Sequence, residues 1–381
     1  MKSLKRYAGI IVVLVVSILI VATSKLIYQG GFLKDKARKN VTYEKAIVKS
    51  IDTEKVQKDE KLNYIEVGMQ NITVELRSGE YRGQVFQIKN SISRLYNTKV
   101  EKDMEIVVAI LKDKGQISDI TIYSYKRSNV IYSLVGIFIL TIIGIGRLKG
   151  VKSVVALIFT FVSIIFFMIP LMLRGVSPVV AAIGVAFMIT FVTLYLLNGR
   201  SKKTYCAIIG TLMGIVAAGI ISYVSGKFAH LSGLTMENTE NMLYVAENSS
   251  LKLHGIMFAG ILIASLGAVM DVAMSISSAL YEIFSLNHKL SSKDLFKSGM
   301  NIGQDIIGTM SNTLILAFAG GSLSLIILIV SSNMASLQLL NLDIVGTEII
   351  QGISGSIGVV LTVPFTAFIC SLVYKKYPKS K

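Results

Sequence analysis

The chain has 381 residues, of which 52% are hydrophobic and only 16% charged, with a mean hydropathy of +0.63. A soluble globular protein carries roughly a quarter charged residues, and several uncharged stretches here reach the roughly 20 residues a helix needs to cross a bilayer, so an ordinary soluble protein is excluded. The net charge of +16 invites a nucleic-acid reading, but its distribution between the apolar segments fits membrane orientation instead.

Residues 1–28 carry a basic start, an apolar run over about Ala8–Leu26 and small residues after it. That pattern reads as an uncleaved membrane anchor, with a signal peptide as the rival reading. The orientation of everything downstream is the same in both cases. Composition then changes sharply. Within 29–127, short runs such as "KAIVKSI", "NITVELRSG", "GQVFQIKNSI", "DMEIVVAILK" and "ISDITIYSY" alternate apolar and polar residues, with turn residues at Ser78-Gly79 and Lys114-Gly115. Alternation of that kind argues β-strands, and five or so strands in this length predict a small extracytoplasmic barrel or sandwich, OB-like in character. The segment is mildly basic and carries no clustered anion-binding motif, so a docking or gating surface is expected of it. The triplets beginning at Asn40, Asn71 and Asn248 have the form of glycan acceptors, which matters only in a eukaryotic secretory pathway.

Seven further apolar segments follow over about Val130–Gly146, Val154–Leu173, Pro178–Leu197, Tyr205–Val224, Gly255–Met274 with an extension, Ile306–Val330 and Ile350–Tyr374. With the first they predict a mainly α-helical polytopic protein of about eight transmembrane helices, seven of them in a membrane domain over 128–381. Taken alternately, one set of short gaps holds sixteen Lys and Arg, among them Arg147, Lys202, Lys293, Lys379 and Lys381; the other holds only Arg174, Lys227 and Lys252. Cytoplasmic loops hold the excess of basic residues, so both termini are expected in the cytoplasm.

Two segments carry chemistry. "DVAMSISSAL" begins at Asp271 and "DIIGTMSNTL" at Asp305. The Asp, the Ser six places on (Ser277, Ser311) and the Leu nine places on are identical. Positions i, i+4 and i+7 share a helix face, so Asp271, Ser275 and Ser278 form one polar stripe, and Asp305, Thr309 and Asn312 another. Segments 255–283 and 300–330 would cross in opposite directions, the pattern of an inverted repeat, against which chance resemblance between apolar segments stands as the alternative. An intramembrane carboxylate costs about 2.5–3.5 kcal/mol on insertion scales and therefore marks a functional path; the competing reading sets both aspartates at wet helix ends. The long run after Asp305 is expected to tilt or to break near Gly320-Gly321.

Other features are weaker. Glu282 roughly continues the first stripe. The glycines of 352–358 are spaced as helix-packing contacts, and Pro170 and Pro364 are expected to kink their helices. Cys206 and Cys370 suggest neither a zinc site nor a disulfide framework and read as small buried residues. His230, His254 and His288 have no second ligand in register. Phosphate loops, nucleophile elbows and metalloprotease helices are absent from the sequence.

The stretches "ASLGAVMDVAMSISSALYEI", "SGMNIGQDIIGTMSNTLILAFAGG" and "GSIGVVLTVPFTA" resemble the YibE/F-like family of bacterial multi-pass membrane proteins. The resemblance covers about Asn40–Val373, with a local departure at Ala264 and Ser265. It implies a bacterial plasma-membrane protein and almost nothing about activity. The residues themselves suggest a secondary transporter, not an enzyme, in which Asp271 and Asp305 hold a proton or sodium ion and Ser275, Ser278, Thr309 and Asn312 supply neutral oxygens. A scaffold or sensor, whose outer domain binds an envelope partner, is the second reading. The expected partners are the lipid bilayer, the coupling ion, a small solute and a further copy of the chain; nucleic acid, cofactors and resident metals are not expected.

Overall fold

The alternating runs become five antiparallel strands, β1 (Val41–Lys58), β2 (Glu66–Leu76), β3 (Val85–Ile92), β4 (Glu105–Asp113) and β5 (Gln116–Tyr125), in the sheet order β3-β2-β1-β4-β5. The structure, a computed structural model, describes residues 2–27, 41–113, 116–231, 239–253, 255–332 and 334–376. Asn40, the Lys114-Gly115 turn, His254, Lys379 and Lys381 lie outside the described residues. The chain divides into two compact units, Asp35–Thr141 and Met1–Lys34 with Ile142–Lys381.

β1 is long enough to pair with two neighbours. Its first residues pair with β4 and its later ones with β2, and register shifts at Val48/Ser50 and Ile51/Thr53 bend it between them. Bulges of this kind sharpen strand twist, and the bent sheet is a half-barrel, as the alternation led us to expect. Period-two alternation sends Ile72, Val74, Leu76, Ile88, Ile106, Val108 and Ile110 into one core. Gln70 is fully buried among them. Its amide donates to Val100 O at 2.9 Å, and its carbonyl oxygen accepts from Val100 N at 3.1 Å and Asn90 Nδ2 at 3.1 Å. A buried amide is tolerated here because its polar atoms are met.

The helical unit contains α1 (Lys2–Ile27), α2 (Ser128–Ser163), α3 (Ile169–Leu173), α4 (Pro178–Asn198), α5 (Lys202–Phe228), α6 (Thr239–Glu247), α7 (Ile256–Leu286), α8 (Ser292–Gly321), α9 (Leu323–Ser331), α10 (Ser336–Leu340) and α11 (Asp343–Lys376), with the start of α2 belonging to the β unit. Among the described residues six helical runs are long and apolar enough to cross a bilayer, seven with α8 and α9 taken as one bent span. One of the six is the 46-residue run Ser128–Leu173. Straight, it would be about 69 Å long, over twice a bilayer core. It is not straight. Arg147 leaves the helical region (φ 50°, ψ −128°), and a Cβ on Gly150 would sit 2.2 Å from Ile142 O. The chain therefore bends sharply at Arg147, at the boundary expected between two apolar segments. A turn of π-helix at Ile164–Met168 precedes Pro170, whose missing N–H widens the turn there.

Small residues bring the central helices together. A Cβ on Gly358 of α11 would lie 2.6 Å from Ala218 Cβ of α5, and one on Gly210 of α5 would lie 2.1 Å from Thr366 Oγ1 of α11. Without a hydrophobic drive between helices in lipid, close backbone approach is what holds a bundle. α7 completes this trio through Val269, Ala273, Ile276 and Leu280, all fully buried. α1 packs through Ile10 on Val155, Ala156 and Leu196.

Candidate functional site

Asp271, Ser275 and Ser278 share one face of α7, opposite the fully buried Val269, Ala273, Ile276 and Leu280. Asp271 and Ser275 are exposed and Ser278 is half-buried. α8 repeats the arrangement: Gly299, Gly303 and Leu314 are buried, while Asp305, Thr309 and Asn312 are exposed. A Cβ on Gly303 would lie 2.0 Å from Val363 Cγ1, and one on Gly299 would lie 2.7 Å from Ala367 Cβ. Glycine thus seats α8 on α11, and each stripe points away from α11. Both stripes thus lie on faces of α7 and α8 other than those that pack in the bundle.

Hydrogen bonds give the depth of each residue. Ser277 Oγ donates to Lys203 O at 2.7 Å, and Tyr374 Oη donates to Ser277 O at 2.8 Å. Lys203 opens α5 and Tyr374 lies near the close of α11, so Ser277 is level with the start of α5 and the end of α11, while α7 runs on to Leu286. Gly299 lies against Leu280, and Gly355 against both Leu314 and Ser265. These contacts set an antiparallel register with Asp305 level with Met274, and Asp271 with Gly308. At a rise of 1.5 Å per residue, Asp271 lies about 9 Å inside the Ser277 level and Asp305 about 4.5 Å inside it. Asp305 is thus within one turn of the Ser277 level, and Asp271 lies one to two turns from it.

A cavity lies one turn from Asp271. Gly267, one turn earlier on the same face, lines a space of about 410 Å³ between α2, α4 and α7, together with Ser153, Thr160, Thr193 and Met270. Ser153 and Thr160 turn their hydroxyls back to the carbonyls of Lys149 and Ala156 at 3.1 and 3.0 Å. The Thr193 hydroxyl is buried with no hydrogen-bond partner. A Cβ at Gly267 or Gly260 would meet nothing within 4 Å, so this face of α7 is open. The rest of the cavity's lining, Ala156, Leu157, Ile189, Leu197, Ile263 and Leu266 among it, is apolar, so the space is a mainly apolar groove with three hydroxyl-bearing residues.

At the other end of the bundle, α8 stops at Gly321 and α9 leaves at 65°, at the glycine pair where a break was expected. Ser322, between them, donates through Oγ to Glu348 Oε2 of α11 at 2.5 Å.

A family model for YibE/F-like proteins matches residues 134–376, and one for the YibE/F family N-terminal domain matches residues 41–125. The chain belongs to the YibE/F-like family. Comparison with curated proteins and with solved structures returns no match. The two family regions coincide with the half-barrel and with the helices from the first arm of α2 to α11, so this YibE/F-like chain is a membrane-embedded helical protein with a β domain after its first helix.

Glu348 escaped the sequence reading because the last span was begun at Ile350. α11 in fact starts at Asp343; the stretch Ile344-Val345-Gly346-Thr347 before Glu348 is uncharged, and that signal was available. In the YibE/F-like bundle Cys206 and Cys370 are free, fully buried thiols. Among the described residues no group of three or more His, Cys, Asp or Glu is placed to hold a metal ion. His288 packs its ring 5.0 Å from that of Phe284.

Proposed function

We propose that the protein is a secondary transporter of the bacterial plasma membrane, in which a proton or sodium ion taken up by Asp271 drives passage of a small solute or ion. The observation that carries this reading is the position of Asp271 along α7, about 9 Å from the Ser277 level and one turn from a cavity of about 410 Å³. A carboxylate at that depth is costly unless water, a proton or a cation meets it, and a scaffold has no need of one there. Ser275 and Ser278 continue its face and supply neutral oxygens to the same ion. Asp305, within one turn of the Ser277 level, is the entry carboxylate, with Thr309 and Asn312 beyond it. The basic short loops orient the Lys203 and Tyr374 end towards the cytoplasm, so both aspartates take their ion from that side. The activity is transport and not catalysis.

Flux into proteoliposomes under imposed proton or sodium gradients tests the reading. The parent should dissipate one gradient faster than protein-free vesicles. Asp271→Asn should insert normally and lose that flux, and Asp305→Asn should slow it. Retention of every ion response by Asp271→Asn rejects the proposal and leaves a scaffold whose outer domain binds an envelope partner.

A further inference from the structure

We propose that the cleft at the break between α8 and α9 is a second binding site, for a primary ammonium ion that carries an apolar chain. Two adjoining cavities open there, of about 430 and 580 Å³, within the range of small-molecule sites, about 300–1,000 Å³. They share Phe318, Ser322, Leu325 and Glu348 and otherwise differ in character. Ile315, Ile326, Ile329 and Ile353 make the first apolar. Ser324, Thr347 and Gln351 make the second polar. Glu348 stands where they meet.

Two groups in the cleft call for a partner of defined chemistry. Among the described residues only Ser322 reaches the Glu348 carboxylate, and no Lys, Arg or His pairs with it. A carboxylate has about four acceptor positions, and Ser322 fills one of them. Thr347 is 4% exposed, and its hydroxyl is buried with no hydrogen-bond partner. Such an orphan costs about 1–3 kcal/mol, and it lines the same polar cavity. An ammonium offers three N–H donors, matched to Glu348, Thr347 and the Gln351 carbonyl oxygen. A neutral amphiphile leaves the carboxylate unmet, an anion is repelled by it, and a bare metal ion makes no use of the apolar cavity.

The surroundings favour an amphiphile over a small polar amine. α9, "LSLIILIVS", has no buried residue and presents Leu323, Ile327 and Leu328 outward. Gly346 lies against Leu231, just past the end of α5, so the cleft sits at the bundle end opposite Lys203. A chain entering from lipid beside α9 reaches the apolar cavity first and brings its ammonium to Glu348. Both a free long-chain amine and a lipid with an ethanolamine headgroup have this chemistry. The inference is independent of the transport reading.

The test uses the purified full chain in phosphatidylcholine nanodiscs. Thermal unfolding is followed with added dodecylamine or dodecanol, and in nanodiscs that contain phosphatidylethanolamine. Dodecylamine should raise the unfolding temperature saturably and dodecanol should not. Glu348→Gln, which keeps shape and loses charge, should weaken the response about tenfold or more, the loss expected for a charge-assisted hydrogen bond. Thr347→Val should weaken it as well. A response to phosphatidylethanolamine that Glu348→Gln abolishes assigns the lipid as source; a response to dodecylamine alone assigns a free amine. If Glu348→Gln unfolds before any addition, Thr347→Val and Gln351→Leu serve in its place. Equal responses of parent and variants, or equal responses to amine and alcohol, overturn the proposal.

Discussion

The hydroxyl of Ser277 is bound to the backbone carbonyl of Lys203 at 2.7 Å, 74 residues away in the chain. Through Tyr374, which donates to Ser277 O at 2.8 Å, this one residue ties α5, α7 and α11 at the same end of the bundle. Ser277→Ala should lower stability by about 0.5–1.5 kcal/mol, the net worth of a typical hydrogen bond, and Tyr374→Phe by a similar amount. Thermal unfolding in detergent measures both. The double variant should cost less than the sum of the singles, because the two groups share one network.

Glycine contacts separate packed from open faces of the bundle. Gly358→Ala adds a Cβ 2.6 Å from Ala218 Cβ and should destabilise by about 1–3 kcal/mol, as overpacking does. Gly260→Ala meets nothing within 4 Å and should be neutral or stabilising, since alanine is favoured over glycine in a helix by about 1 kcal/mol. Equal unfolding temperatures for the two variants would show that α5 and α11 are not in close contact.

The half-barrel should respond to acid through one ion pair. Asp59 accepts from Arg94 Nε at 2.6 Å and from the second guanidinium nitrogen at 2.8 Å, and its Oδ1 also accepts from the backbone N–H groups of Lys61 and Leu62. The Arg94 hydrogen bonds hold its carboxyl at about 2, below the ordinary 3.8. The folded value is lower than the unfolded one, so the stability this pair contributes is present above about pH 4. It is lost as the pH falls from about 4 to about 2. Residues 41–125 expressed alone should give a β-rich circular dichroism spectrum, and acid titration of their unfolding should show this loss in the parent and a smaller one in Arg94→Ala. A helical or featureless spectrum would reject the domain as an independent unit.

The alternation of α5 and α7 through the bundle predicts sidedness. Cysteines replacing Ser201 and Ser291, the N-caps of α5 and α8, should react with an impermeant thiol reagent from one face of the membrane. A cysteine replacing Ser250, which lies against Gly175, should react from the other. Reaction of all three from one face would mean that the passes are miscounted.

The half-barrel was legible in the residues because its strands are half-buried. Period-two alternation, as in Ile72, Val74 and Leu76, states directly which side chains go in. The membrane passes were legible from length and the absence of charge, and the turn at Arg147 from its basic neighbours. The polar faces were legible too, since 3.6-residue periodicity puts Asp271 with Ser275 whatever surrounds them. Their direction was not. In a bundle held by small residues, orientation depends on which glycines meet which neighbours, and Gly303 against Val363 or Gly358 against Ala218 cannot be read from either helix alone. Those contacts turned the α7 and α8 stripes away from α11, put Asp271 one turn from a cavity, and left Asp305 within one turn of the Ser277 level. The pairing of Ser322 with Glu348 is of the same kind. Composition marks an intramembrane carboxylate as costly, but only tertiary packing brings a helix break from 26 residues earlier in the chain against it, because hydrogen-bond partners in a bundle are chosen across helices and not along them.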